Sequence, residues 1–194
     1  MGSRLRMQKE KNNMKKQVLF IQGGGEGAYD EDEKLAASLQ DALGPEYQVS
    51  YPRMPDEGSP EDNAWMAQIS RELASRDGRV LLVGHSVGGS ILLKYLLKED
   101  IAKSIAGIFL ISIPYWGPED EEGEEYALHE GFASRLPIGV PIFLYHSRDD
   151  EWVPFAHLAI YAEKIPQAIV REFDGRGHQF NNDLSDVAAD IKSL

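Results

Sequence analysis

The stretch from Arg79 to Lys98 restricts the possible folds more than any other. Arg79-Val80-Leu81-Leu82-Val83 is short, rich in leucine and valine, and without alternation, which fits a strand covered on both faces in the middle of a parallel sheet. Gly84-His85-Ser86-Val87-Gly88 follows at once, then Gly89 to Lys98, where only Ser90, Lys94 and Lys98 interrupt an apolar helix. The chain must therefore turn from strand to helix at Ser86. So sharp a turn leaves no space for a Cβ two residues before or after the serine, which accounts for Gly84 and Gly88. The pentapeptide has the form of a nucleophile elbow. It would lift the Ser86 hydroxyl above the sheet edge and aim the Val87 N–H, at the helix start, where an oxyanion can form. A plain strand-to-helix turn with Ser86 as a helix cap is the competing reading. The two are separated by whether the rest of the chain supplies a base and an acid.

Strand and helix patterns alternate along the whole chain. Gln17 to Gln22 reads as the first strand, followed by a glycine-rich turn, Gly23 to Ala28, and a helix over about Asp32 to Leu43 with Leu35, Ala36, Leu39 and Leu43 on its apolar face. Tyr47 to Tyr51 is the second strand. Ser59-Pro60-Glu61-Asp62 reads as a helix start with proline at the first helical position, and Trp65, Ile69 and Leu73 follow at helical spacing, with Trp65 assigned to the core. Ile105 to Ile113, Val140 to His146 and Ala168 to Phe173 are further strands; a helix ends near Ile165-Pro166 and the last spans about Asp183 to Leu194. The implied fold is α/β, a doubly wound parallel sheet between two layers of helices.

With 194 residues and no cysteine, one core can be buried and neither disulfides nor thiolate metal sites exist. Neither a secretory signal nor a membrane span is readable, so the expected location is cytoplasmic. Met1 to Lys16 holds six basic residues and one glutamate, and reads as a leader, disordered or added for expression, ahead of a single domain over 17–194. The formal net charge is -12, so the body without that leader is more acidic still. Such a surface repels phosphate backbones and anionic lipid, which argues against nucleic-acid and membrane partners. The acidic residues within 119–125 have no calcium-loop spacing and read as a solvated loop.

Gly23-x-Gly25-x-x-Ala28 partly matches a dinucleotide fingerprint. That reading lacks an acid at the end of the second strand, and Glu26, Asp30, Glu31, Asp32 and Glu33 would repel a pyrophosphate. The loop is read instead as a source of a second oxyanion donor, the N–H of Gly24, and no cofactor or metal is expected.

In a wound parallel sheet the loops after the strands share one edge, so those holding Ser86, Asp149 and Asp150, and His178 converge despite their separation in sequence. Serine needs an imidazole to take its proton, and the imidazole needs a carboxylate to set its tautomer. Among the five histidines, His85 should point away from its neighbour Ser86, His129 and His157 read as surface, and His146 could support the site from the end of its strand. His178 follows a strand, and Gly175 and Gly177 free its loop to turn inward. Asp150 is preferred as the acid, because Val153-Pro154 and a helix start would hold it rigidly. Asp149 is its rival, expected to pair with Arg148 or solvent, and Asp174 is a weaker one. Tyr115 and Trp116, just after a strand, are candidates for lining a substrate pocket.

Together Gln22-Gly23-Gly24, Gly84-His85-Ser86-Val87-Gly88-Gly89, Ser147 to Pro154 and Gly177-His178 resemble an α/β-hydrolase, specifically the small lidless serine hydrolases related to retinoblastoma-binding protein nine. The resemblance spans nearly everything after Lys16. It implies six parallel strands in order 2-1-3-4-5-6 without a cap domain, and a triad of Ser86, Asp150 and His178. The oxyanion loop departs from the pattern, with Gln22 where many relatives carry histidine. The implied function is a serine hydrolase of carboxylesterase type, cleaving small esters or amides through an acyl-enzyme. A second reading keeps the architecture as a binding module that recognises a protein partner.

Overall fold

The computed structural model describes residues 15–98, 104–117 and 126–194. The acidic run 119–125 and all but the last two residues of the basic leader lie outside the described residues. Six strands, β1 (Lys16–Ile21), β2 (Tyr47–Ser50), β3 (Val80–His85), β4 (Ile105–Ile111), β5 (Ile142–Ser147) and β6 (Ile169–Phe173), form one sheet. All pairs are parallel, in the order β2-β1-β3-β4-β5-β6. The described α-helices are α1 (Ala28–Leu43), α2 (Asp62–Ala74), α3 (Ser86–Lys98), α4 (Ala156–Lys164) and α5 (Ser185–Lys192).

Successive side chains of a strand point to opposite faces, so each central strand feeds two cores. Leu19, Ile21, Val80, Leu82, Ile108, Leu110, Ile142 and Leu144 enter one core, closed by Trp65 and Ile69 of α2, Ile91 to Leu93 of α3 and Leu158 and Tyr161 of α4. Val18, Phe20, Leu81, Val83, Phe109, Ile111, Phe143 and Tyr145 enter the other, closed by Leu35 and Leu39 of α1 and Val187 and Ile191 of α5. The unbroken apolar runs in β3 and β4 follow from this double coverage. β6, at the edge, is only partly covered. Trp65 is fully buried, as its helical spacing implies, and its Nε1 donates to the Pro55 carbonyl at 2.6 Å.

Some boundaries differ from the sequence reading. α1 begins at Ala28, four residues early, because Gly27 at φ 81° supplies the turn that starts it. α2 begins at Asp62, so Pro60 precedes the helix. β4 ends at Ile111 because Ser112 takes φ 49°, outside the extended region.

Parallel pairing puts the C-terminal ends of all strands on one edge. Ile21 lies opposite Gly84, His85 opposite Ile111, Ile111 opposite Tyr145, and Ser147 opposite Phe173. The loops after β1, β3, β5 and β6 therefore rise together.

Candidate active site

Ser86 has φ 52°, a left-handed conformation that non-glycine residues rarely take and that persists only where the surroundings enforce it. Close backbone approach provides that enforcement. A Cβ on Gly88 would stand 1.9 Å from the Gln22 carbonyl oxygen, and one on Gly84 would stand 2.6 Å from Gly89 Cα. β3 and α3 can meet at this angle only with glycine at both places.

The loop after β1 crosses directly over the elbow. Gly23 N–H donates to Asp32 Oδ2 at 2.7 Å, and Gly25 N–H to the Glu57 carbonyl at 2.6 Å. Gly24 lies between them with its N–H uncommitted among the described residues, and a Cβ there would approach Val87 Cβ at 3.3 Å and Pro60 Cγ at 2.7 Å. Val87, in the first turn of α3, has an N–H without an acceptor inside its own helix. Gln22 is wholly buried and braces the loop, accepting from Met54 N–H at 3.0 Å and donating to Glu57 Oε2 at 2.8 Å.

Across the edge, His178 Nδ1 lies 3.0 Å from each Asp150 carboxyl oxygen. A carboxylate accepts only, so the proton of the neutral ring sits on Nδ1 and Nε2 carries the lone pair. Asp150 also accepts from Trp152 N–H at 3.0 Å, Val153 N–H at 2.8 Å and His146 Nε2 at 3.1 Å. Burial pushes its carboxyl up, but bonds from His146, His178 and Val153 outweigh that and hold it far below the usual carboxylate range. His146 Nε2 also reaches the Val153 carbonyl at 3.0 Å, and so ties the Asp150 carboxylate to the chain after it. Gly175 and Gly177, at φ 72° and 59°, turn the His178 loop inward. Ser86 Oγ, nearly buried, makes no hydrogen bond among the described residues. Catalytic hydrogen bonds in substrate-free sites commonly tighten only when substrate arrives.

Asp149, the rival acid, points elsewhere. Its Oδ1 accepts from Ser147 Oγ at 2.5 Å, Gly175 N–H at 2.9 Å and Arg176 N–H at 3.2 Å, pinning the loop after β6. Arg148, its expected partner, pairs instead with Glu172 and Asp174. Tyr115 packs edge-on against Tyr161 and Trp116 against Tyr126. Tyr115 also lines a cavity of about 800 Å³ with Lys94, Leu97, Leu128 and Lys164, whose lining includes neither Ser86 nor His178.

Sequence reasoning missed Asp32. The sequence reading places it only among the acids that would repel a pyrophosphate, yet it is 1% exposed and accepts from Gly23 N–H, His85 Nδ1 at 2.8 Å and Gln179 Nε2 at 3.0 Å. The available signal was its register, since positions 32, 35, 36, 39 and 43 lie on one helical face. Among the described residues, no cluster of three or more His, Asp or Glu could hold a metal ion, and no helix is long and apolar enough to cross a membrane.

A six-stranded parallel sheet in this order, with a serine elbow after its third strand, is the architecture of α/β-hydrolase serine hydrolases. The sequence model of the serine hydrolase family matches residues 31–183, and the chain belongs to that family. No curated protein matches by sequence. Solved structures similar in fold include the meta-cleavage product hydrolase CumD of Pseudomonas fluorescens, with TM-score 0.72 and 15% identity over 94% of this chain and 93% of that one. SOBER1 of Arabidopsis thaliana gives TM-score 0.67 and 19% identity over 93% of this chain and 99% of that one. Est1E from Butyrivibrio proteoclasticus gives 0.69 and 15% over 95% and 88%.

Proposed function

We propose that this serine hydrolase cleaves small carboxylic esters, and amides more slowly, through an acyl-enzyme on Ser86. The observation that carries the reading is the His178–Asp150 contact, which leaves Nε2 as the basic nitrogen on the edge where the elbow presents its serine. His178 Nε2 takes the Ser86 proton as Oγ attacks the acyl carbon, and the negative charge gathers on the former carbonyl oxygen. The N–H groups of Gly24 and Val87 hold that oxygen. His178 then passes its proton to the leaving alcohol, the ester C–O bond breaks, and the same nitrogen activates water to release the acid. Asp150 keeps the tautomer fixed and stabilises the imidazolium while it exists.

The net charge of -12 favours neutral or cationic substrates over anionic ones. A panel of nitrophenyl esters of increasing acyl length tests the proposal. Short acyl groups should turn over fastest, with a burst of nitrophenol equal to the enzyme concentration wherever deacylation limits. Ser86→Ala should remove both burst and turnover. Ester hydrolysis unchanged in that variant would defeat the mechanism, and a wild type inert to every ester would favour a partner-binding role.

A further inference from the structure

Asp32 and His85 take no part in the proton transfers above, yet both are 1% exposed and they meet at 2.8 Å. Ionisable side chains this deeply buried are costly unless fully partnered. The partners here have a pattern. Asp32 accepts from Gly23, the neighbour of the oxyanion donor Gly24; from His85, the neighbour of Ser86; and from Gln179, the neighbour of His178. His85 closes the circuit, its Nε2 lying 3.1 Å from the His178 carbonyl oxygen. A single carboxylate from α1 thus reaches the chain one residue away from each proposed reacting group.

The chemistry of His85 follows from its two contacts. Nδ1 faces a carboxylate and Nε2 a backbone carbonyl, and both of these only accept. A neutral imidazole has one N–H and would turn a lone pair towards an oxygen. Satisfying both contacts requires protons on both nitrogens, so the ring is an imidazolium and has no basic nitrogen to offer Ser86.

We propose that Asp32 and His85 form a positioning pair, a buried carboxylate and imidazolium that lock the oxyanion loop, the serine elbow and the histidine loop in mutual register. This rests on Ser86, Gly24 and His178 acting as proposed above. The charged and titratable groups facing His85 are Asp32 from α1, Asp150 from the loop after β5 and the His178 ring, 4.7 Å away between centroids. Burial disfavours the cation, but the Asp32 charge and hydrogen bond more than offset it and hold the ring above the ordinary imidazole value, which agrees with the geometry.

Asp32→Asn separates charge from shape. Gln179 Oε1 is buried without a partner, so rotating the Gln179 amide lets it accept from an asparagine NH₂ at 32 and keeps that contact, with Nε2 taking the unpartnered position instead. His85 then loses its reason to be charged and can satisfy only one of its two acceptors. In full-length protein, ¹⁵N NMR of the histidine rings should show both His85 nitrogens protonated at pH 7.5 in the wild type and one in Asp32→Asn. The variant should stay folded by circular dichroism, with kcat on a nitrophenyl ester down about ten- to a hundredfold and KM changed far less, since only positioning of the reacting groups is lost. Fluorophosphonate labelling of Ser86 should slow by a similar factor, and exchange of the hydrogen-bonded amides of Gly23 and His178 should quicken. A neutral His85 in the wild type, or a folded Asp32→Asn that is labelled at the wild-type rate, overturns the proposal. A wild type that is never labelled defeats the hydrolytic mechanism instead. In that event amide exchange alone decides the tethering, faster in the variant supporting it and unchanged exchange refuting it.

Discussion

Replacing Asp150 with asparagine changes one atom and should disable the site while sparing the fold. The two oxygens of Asp150 have different partners. Oδ1 accepts from the N–H groups of Trp152 and Val153 as well as from His178, whereas Oδ2 accepts from His146 and His178. The asparagine carbonyl will take the Oδ1 position, since both backbone donors need an acceptor there. Its NH₂ then occupies the Oδ2 position, facing His146 Nε2 and His178 Nδ1. His146 can keep its proton, because it also donates to the Val153 carbonyl at 3.0 Å. His178 has no such second acceptor at Nδ1, so this nitrogen becomes the acceptor and its proton moves to Nε2. A ring protonated at Nε2 cannot deprotonate serine. In a serine protease the corresponding exchange lowers kcat about 10⁴-fold, equivalent to about 5 kcal/mol of barrier. A loss of about 10³- to 10⁴-fold in kcat is expected here, with the melting temperature within a few degrees of wild type because the hydrogen-bond count is nearly kept. Nitrophenyl acetate turnover with parallel thermal melts measures both. Activity within tenfold of wild type in a folded Asp150→Asn protein would refute the assignment of the acid.

Other substitutions examine neighbouring parts of the site. Asp149→Asn loosens the loop after β6 and leaves the His178 tautomer alone, so its kcat/KM should fall by less than about tenfold, far less than in Asp150→Asn. Gly88→Ala drives a methyl group into the Gln22 carbonyl, with no flexible side chain to yield. It should cost about 3 kcal/mol, the upper end for overpacking, which a melting temperature lowered by roughly 6–12 °C would show. His85→Gln reads the buried pair through pH. Asp32 is pushed up by burial but held below 3.8 by His85 and its other donors, so its stabilisation is present above about pH 3.8 and lost as pH falls below. His85 is held above 6.5, so its stabilisation is full below about pH 6.5 and lost as pH rises through the higher folded-state value. The stability gap between wild type and His85→Gln, from urea melts, should therefore be widest between about pH 4 and 6.5 and narrow in alkali; a gap flat from pH 5 to 9 would contradict the charged pair.

Much of this architecture was legible because parallel strands buried on both faces leave unbroken apolar runs, as at Val80 to Val83 and Ile105 to Ile111, and glycine-flanked Ser86 marks the turn between them. Asp150 and His178 could be proposed because each follows a strand, and in a wound sheet that alone sets the edge. The contacts of Asp149 were not legible. Arg148 is its nearest neighbour in sequence, but the bonds it makes reach Gly175 and Arg176 on another strand's loop. Asp32 was hidden for a similar reason: it sits among exposed acids, and only the helical register of Leu35 and Leu39 marks it as inward. The inward turn of His85 was likewise unreadable, since its acceptors come from α1 and from the loop after β6.

The central claim, that Ser86 is a nucleophile activated by the imidazole across the sheet edge, is tested most directly by treating the protein with a fluorophosphonate and mapping the modified peptide by mass spectrometry. The expected result is one adduct per chain, on Ser86, absent from Ser86→Ala and formed at least a hundredfold more slowly in His178→Ala. An adduct on another serine, or one on Ser86 that forms equally fast without His178, would contradict it.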